Sequence, residues 1–576
     1  MLYLEELRKV MTSKGFCGFI VPMSDEFQSE YVPKYARRVE ALTGFTGSSG
    51  SVIVLRNKAA FFTDGRYTVQ ADEQVDAADF EIVNIADKKP YDWLRENVTN
   101  EQKIAYDAWL HTQNDIKNLK TSLKKVDADV VACDKNLIDE IWSDQPAKIF
   151  NEVLKYDIKY SGQSSESKIE NVINGLPVDA VILTLPESVN WLLNIRGSDL
   201  PHTPFVLSYA ILYKNGEVDL FAGTKDIDGD LGANITLYSF DDLESQLAKL
   251  SGKKVQIDDN VSAAKFFDIL QRNNIEIVGG GDPCLLPKAC KNAVEIDGMR
   301  AAHIRDGVAL CKFLHWLEKT VDEARVTEIS ASDKLEGFRS EGEEFKGLSF
   351  DTISSYGSNG AIVHYKSSPK TDRKIGKDSL YLLDSGGQYL DGTTDVTRTM
   401  CFGEATHEQK RNFTLVLKGH IALASAKFEK GTTGSDLDGL ARKALQGEGL
   451  DYDHGTGHGV GCYMNVHEGP QRISKVPNKI AILEGMITSN EPGYYKAGEY
   501  GIRIESLVVA VKSNDDYLEF ETITLAPIEI NLLDKDILTS YEINWINSYH
   551  KGVFYGLSLH LEGAALEWLK KKTRAI

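Results

Sequence analysis

The chain has 576 residues, 42% of them hydrophobic and 26% charged, and its 65 Lys and Arg against 85 Asp and Glu give a formal charge of −20. That length exceeds a single compact core and predicts two to four domains. The acidic balance argues against a nucleic-acid or anionic-membrane binder, which needs a basic face, and no apolar run approaches the roughly 18 residues of a membrane span.

The N-terminus, "MLYLEELRKVMTSKGFCGFIVP", reads as an amphipathic helix leading into a strand, without the apolar core and cleavage site of a signal peptide. Two later segments then follow one pattern. "GFIVPMSDEFQSEY" with "LTGFTGSSGSVIVLRNKAAFFTDGRY" (18–31 and 42–67) matches "DAVILTLPESVNWLLNIRG" with "FVLSYAILYKNGEVDLFAG" (179–197 and 205–223). Each runs strand, polar turn, helix-like stretch and β-hairpin, which predicts a duplicated α/β domain. The copies span 1–150 and 151–285. "DEIWSDQPAKIF" forms the first linker, and the Gly- and Pro-rich "GGGDPCLLPKACKN" closes the second copy.

A third domain, 286–512, opens with "NAVEIDGMRAAHIRDGVALCKFLHWLEKT", apolar at helical spacing. Within it, "SLYLLDSGGQYLDGTTDVTRTMCFG" (379–403) reads as a hairpin with Asp384 and Asp395 in strand-like surroundings, where carboxylates are depleted. Pairing around a turn near Tyr389–Leu390 would set the two acids opposite each other. "DYDHGTGHGVGCYMNVHEGP" (451–470) holds three of the twelve histidines, His454, His458 and His467. Its glycines cost about 1 kcal/mol each in a helix, so His454 and His458 are expected on extended chain rather than as a helical pair. "GMITSNEPGYYKAGEYGIRIESLVVA" (485–510) repeats the hairpin figure, with Glu491 and Glu505 bracketing a turn centred on Gly498. Arg503, two residues before Glu505, shares its face. The remainder, 513–576, is an extension with an aromatic-rich stretch and a terminal amphipathic helix. It is expected to pack on the third domain or on a second subunit.

Four carboxylates with one histidine between them make a metal-site constellation. One divalent ion would leave a costly residual charge in a partly buried pocket. Two ions neutralise the four acids, with His458 as the nitrogen ligand. Oxygen-rich ligation favours Mn²⁺, with Co²⁺ or Zn²⁺ as alternatives. Two ions about 3.5–4 Å apart can share a bridging hydroxide. The seven cysteines, Cys17, Cys133, Cys284, Cys290, Cys311, Cys401 and Cys462, are odd in number, scattered and without CxxC. They read as reduced thiols of a cytoplasmic protein.

The ordered set Asp384, Asp395, His458, Glu491 and Glu505 resembles the five metal ligands of the pita-bread metallopeptidases. "HGTGHGVG", "NEPGYY" and "GIRIES" resemble the aminopeptidase P branch. "SEYVPKYARRVEALTGFTGSSG" and "TDGRYTVQA" resemble the first domain of the long cytosolic Xaa-Pro aminopeptidases. The resemblance implies two creatinase-like α/β domains before a pita-bread catalytic domain, giving an α/β and α+β chain. It implies hydrolysis of the first residue from peptides that have a free N-terminus and proline second, and a homodimer. It also implies roles for single residues: His454 behind the ligands, His467 and His364 at the scissile bond, Glu491 as both ligand and acid/base, Arg503 steadying carboxylates behind the site, and Arg66 contacting peptide. Two rivals differ from this expectation: a non-catalytic binding protein of the same fold, disfavoured by the complete ligand set, and a prolidase, disfavoured by the duplicated N-terminal half.

Overall fold

The computed structural model describes residues 2–323 and 325–576. The chain divides into two compact units. The first comprises 1–157 and 163–284, and the second 158–162 and 285–576.

The first unit carries the duplication. One six-stranded sheet runs in the order Glu81–Asn84, Ala59–Thr63, Ser51–Leu55, Gly18–Pro22, Lys103–Tyr106, Asp129–Ala132. The other runs Ile235–Tyr238, Val218–Ala222, Ser208–Tyr213, Ala180–Leu183, Lys254–Ile257, Glu276–Gly279. Strand sense agrees position by position: each sheet is antiparallel through its third and fourth strands and parallel at both ends. The hairpins expected at "RNK" and "KNGE" join the second and third strands of each sheet. Val52, Ile53, Val54, Phe61 and Phe62 are all fully buried. Such continuous apolar runs belong to strands covered on both faces.

In the second unit a long helix, Ala293–Thr320, starts at a capping box made by Asn292 and Glu295. It buries Met299, Ala302, Leu310, Phe313 and Leu317. Helices His407–Ala424 and Gly434–Gln446 cover a six-stranded sheet that includes Gly457–Gly459, Ile487–Asn490 and Ser506–Lys512. Strand Leu380–Ser385 forms the middle of a three-stranded sheet, flanked by Ile353–Tyr356 and Val396–Cys401. The C-terminal extension folds as helices Ser540–Leu557 and Gly563–Lys572. Val553, Leu557 and Leu569 of these helices, with Leu561 of the link between them, join the core built by Leu310, Phe313 and Leu317 of the long helix. The extension therefore packs within this unit. No helix among the described residues is long and apolar enough to cross a membrane.

Candidate metal centre

The two acid-bearing hairpins frame the centre. In the first, Leu380–Ser385 pairs with Val396–Cys401 so that Asp384 faces Thr397. The connection is a two-residue loop, Leu390–Asp391, closed by the pair Tyr389 and Gly392. This moves the turn one residue beyond the position expected from the sequence, because the loop forms just ahead of Gly392. Asp395 consequently lies before its strand, diagonal to Asp384 rather than opposite it. The second hairpin matches expectation. Asn490 pairs with Ser506 and Gly493 with Arg503, so the register sets Glu491 against Glu505 across the gap between these pairs. Its turn contains Gly498 at φ +74°, the left-handed region that glycine enters freely.

His458 enters on a short strand, Gly457–Gly459, and is extended as expected. Its flanking glycines are required by close approach. A Cβ on Gly457 would stand 2.0 Å from the Ser489 carbonyl, and one on Gly459 would stand 2.2 Å from that of Glu468. The His458 Nδ1 lies 2.8 Å from the Gly459 carbonyl. Donation there turns Nε2 toward the acids, 3.5 Å from Asp395 Oδ2 and 3.8 Å from Glu491 Oε1, where a bound cation would replace its proton. Asp395, His458 and Glu505 offer ligand atoms that all lie within 4.8 Å of one another.

The cluster is electrostatically unfavourable on its own. Burial, then Asp395 and Asp384, push Glu505 well above the carboxylate range. Burial raises Asp384 against the pull of Arg503, and burial raises Glu491 against His458 and Arg503. Burial lowers His458, but Asp395 and Glu491 outweigh it and carry the imidazole up to about 9. Among the described residues, Asp384 Oδ1 is buried without a hydrogen-bond partner. Crowded carboxylates with an unsatisfied oxygen are what a divalent cation relieves, and the donor set of four acids and one imidazole fits hard or borderline ions.

Arg503 takes a more direct part than the sequence indicated. Its Nη2 donates to Asp384 Oδ2 at 2.6 Å, so it grips a candidate ligand itself rather than carboxylates behind it. Its Nε donates to Thr397 Oγ1 at 3.2 Å and its Nη1 to Tyr495 Oη at 2.6 Å. The His454 Nε2 meets the same Tyr495 hydroxyl at 2.9 Å, and its Nδ1 lies 3.8 Å from Glu491 Oε2. His454 thus stands behind the carboxylates. The His467 ring sits perpendicular to that of His458, centroids 4.4 Å apart. His364 lies in a turn after the short helix Gly357–Ala361, next to Val363, whose carbonyl accepts from Arg503 Nη1 at 3.4 Å. Arg66 belongs to the first unit, where its guanidinium binds both oxygens of Asp64 at 2.9 and 2.7 Å.

Two residues that hold the site went unmarked in the sequence. Thr397 donates its hydroxyl to Glu505 Oε2 at 2.7 Å. It stands two residues after Asp395, on the same strand face by the period of two. Tyr495 lies inside "NEPGYY" and signalled itself only as part of that motif.

Comparison with known proteins agrees with this geometry. Residues 297–512 match the model of metallopeptidase family M24, and 516–576 match the C-terminal region of that peptidase. Residues 4–141 and 144–295 match two models of the creatinase/prolidase N-terminal domain. A probable Xaa-Pro aminopeptidase P of Coprinopsis cinerea is 40% identical across 100% of this chain and 98% of its own length. The chain belongs to metallopeptidase family M24. Aminopeptidase P1 of Lotus japonicus is 35% identical over 100% of this chain and 99% of its own. The crystal structure of the Caenorhabditis elegans X-prolyl aminopeptidase, described as a cytosolic enzyme with a di-nuclear active site, superposes with a TM-score of 0.95. It is 35% identical and covers 100% of this chain and 99% of its own. The Xaa-Pro dipeptidase of Bacillus anthracis, at 22% identity and a TM-score of 0.52, covers 63% of this chain and shares the fold.

Proposed function

We propose that the protein is a dinuclear Xaa-Pro aminopeptidase, removing the first residue from peptides with a free N-terminus and proline second. The observation that carries this is the convergence of Asp395, His458 and Glu505, whose ligand atoms lie within 4.8 Å of one another, with Asp384 on strand Leu380–Ser385 and Glu491 just after strand Ile487–Asn490. Asp384, Asp395, His458, Glu491 and Glu505 would hold two divalent ions, with Mn²⁺ the favoured identity for so oxygen-rich a set. When bound, the ions supply Lewis acidity toward the first peptide carbonyl and lower the pKa of an attacking water.

The chain's own groups do the rest. Glu491 accepts a proton and delivers it to the leaving proline nitrogen. His467 and His364 donate hydrogen bonds to the oxygen on which charge develops. Arg503 and Tyr495 fix Asp384, and Thr397 fixes Glu505, so that the carboxylates need not reorganise. The acids attract the substrate's free amine, which restricts cleavage to the first bond. Proline second is accepted because its nitrogen needs no N–H acceptor and its ring presets φ. Arg66 contacts bound peptide in this reading.

Residues 1–150 and 151–285 serve as the two creatinase-like domains, 286–512 as the catalytic domain and 513–576 as its extension. The protein works in the cytoplasm as a homodimer, consistent with the exposed Tyr541, Tyr555 and Leu559 of the extension. The test is a peptide panel assayed on Mn²⁺-loaded protein. Xaa-Pro-Yaa should be cut after the first residue, and Xaa-Ala-Yaa and N-acetylated peptides should be poor substrates. Equal cleavage of Xaa-Pro-Yaa and Xaa-Ala-Yaa would contradict the assignment.

A further inference from the structure

On strand Val396–Cys401, Thr397 faces the metal centre and Arg398 faces away from it. Arg398 is 2% exposed, and among the described residues no carboxylate pairs with it. A buried guanidinium left without an anion is costly unless neutral acceptors satisfy it. Here they do. Nη1 donates to the backbone carbonyl of Glu505, and Nη2 to the Ala526 carbonyl at 3.0 Å and to Tyr549 Oη at 2.8 Å. Nε donates to the Pro527 carbonyl at 3.2 Å. Glu505 is therefore fixed at three points. Its N–H donates to the Thr397 carbonyl at 3.1 Å, its carboxylate accepts from the Thr397 hydroxyl, and its carbonyl accepts from Arg398.

The Tyr549 partner comes from the C-terminal helix Ser540–Leu557. Trp545, one turn earlier, stacks on Tyr549 with centroids 5.3 Å apart and planes at 9°. The Trp545 ring also meets His420 edge-on at 6.0 Å. Burial, and then the charge of Arg398, push His420 down to about 3, so the imidazole is neutral. Its Nδ1 lies 3.1 Å from the Asn490 carbonyl, and Asn490 Nδ2 donates to the His420 carbonyl at 2.9 Å. Asn490 immediately precedes Glu491. Two aromatic rings at i and i+4 on one helix thus reach the two acids' strands: Tyr549 through Arg398 to the Glu505 carbonyl, and Trp545 through His420 to the carbonyl of Asn490, the residue before Glu491.

We propose that the C-terminal helix is a working part of the metal centre, with Tyr549 and Trp545 as positioning residues acting through Arg398 and His420 on Glu505 and Glu491. This rests on reading those glutamates as metal ligands. Partners behind the ligands commonly tune metal affinity about 10- to 100-fold. The test uses the full-length protein, stripped of metal and titrated with Mn²⁺ in competition with a chelator. It compares wild type, Tyr549→Phe, Trp545→Leu and Glu505→Gln. Tyr549→Phe should melt near wild type when metal-free, bind Mn²⁺ about 10-fold more weakly, and regain activity in excess Mn²⁺. Unchanged Mn²⁺ affinity in both Tyr549→Phe and Trp545→Leu, whatever their melting temperatures, overturns the proposal. A Glu505→Gln variant that binds Mn²⁺ as wild type does would instead overturn the ligand assignment beneath it.

Discussion

The two hairpins that carry the acids look alike in sequence and differ in how each manages its charge. The glutamate hairpin sets Glu491 and Glu505 in one register, with no arginine hydrogen-bonded to either carboxylate among the described residues. The aspartate hairpin offsets its acids, and Asp384 is clamped by Arg503 from the other hairpin. The glutamate hairpin therefore has its repulsion eased only through space, by His458 and Arg503, whereas the aspartate hairpin has part of its charge answered by a direct arginine bond. Repulsion without a bonded counter-charge makes the glutamates the stronger determinants of metal binding in the proposed site. The arginine-held aspartate is also a structural tie between the hairpins.

The largest effect that could break this comparison is loss of the site. His458→Ala removes the only nitrogen ligand of the proposed set and should abolish activity together with bound metal. Glu505→Gln should do the same. Metal analysis of each variant after dialysis against Mn²⁺ checks this, and retention of two ions by His458→Ala would mean the wrong histidine was assigned. Next come His467→Ala and His364→Ala, which should keep both ions yet lose about 10²–10³ in kcat, the scale for removing one oxyanion donor. Steady-state kinetics beside metal content would separate these from the ligands.

The sharpest contrast is in stability without metal. Asp384→Asn leaves the Arg503 guanidinium buried without its carboxylate and should destabilise the metal-free protein by on the order of 3 kcal/mol. Glu505→Gln removes a charge that burial and its neighbours already oppose, and should leave the metal-free protein as stable as wild type or more so. Chemical denaturation at pH 8 measures both. Equal destabilisation by the two would erase the distinction between the hairpins.

A smaller effect is the pH dependence of metal stabilisation. Glu505, Glu491 and Asp384 are raised in the folded metal-free protein, and His458 is raised to about 9. Each binds protons that the unfolded chain has released. Stability of the metal-free protein from these groups therefore falls as pH rises from the ordinary carboxylate range toward 9. Bound metal displaces the same protons, so the melting-temperature gap between loaded and metal-free protein should widen from pH 6 to pH 9. A constant gap in calorimetric scans would contradict this. The smallest effect is expected for His454→Ala, about 10- to 100-fold in activity or metal affinity, because Tyr495 keeps its bond to Arg503.

What could be read from the sequence was local. The register of the glutamate hairpin was legible because Gly498 stands midway between Glu491 and Glu505, and the turn forms there. The aspartate hairpin was misplaced by one residue because Gly386–Gly387 and Asp391–Gly392 both offered turn chemistry, and the loop formed at Leu390–Asp391. The duplicated sheets were legible from strand and hairpin rhythm alone. The supporting bonds were not. Arg503 to Asp384, Thr397 to Glu505 and Arg398 to Tyr549 each join residues more than a hundred positions apart. Periodicity and turn signals carry no record of such contacts.

The central claim is that five side chains from two unlike hairpins and one glycine-flanked strand bind a pair of ions. Its most direct test is the Mn²⁺ stoichiometry of the full-length protein, measured by elemental analysis at saturation for wild type and Glu505→Gln. Two ions per chain in wild type and fewer than one in Glu505→Gln is the predicted result. One ion per chain in wild type, or two in Glu505→Gln, would contradict it.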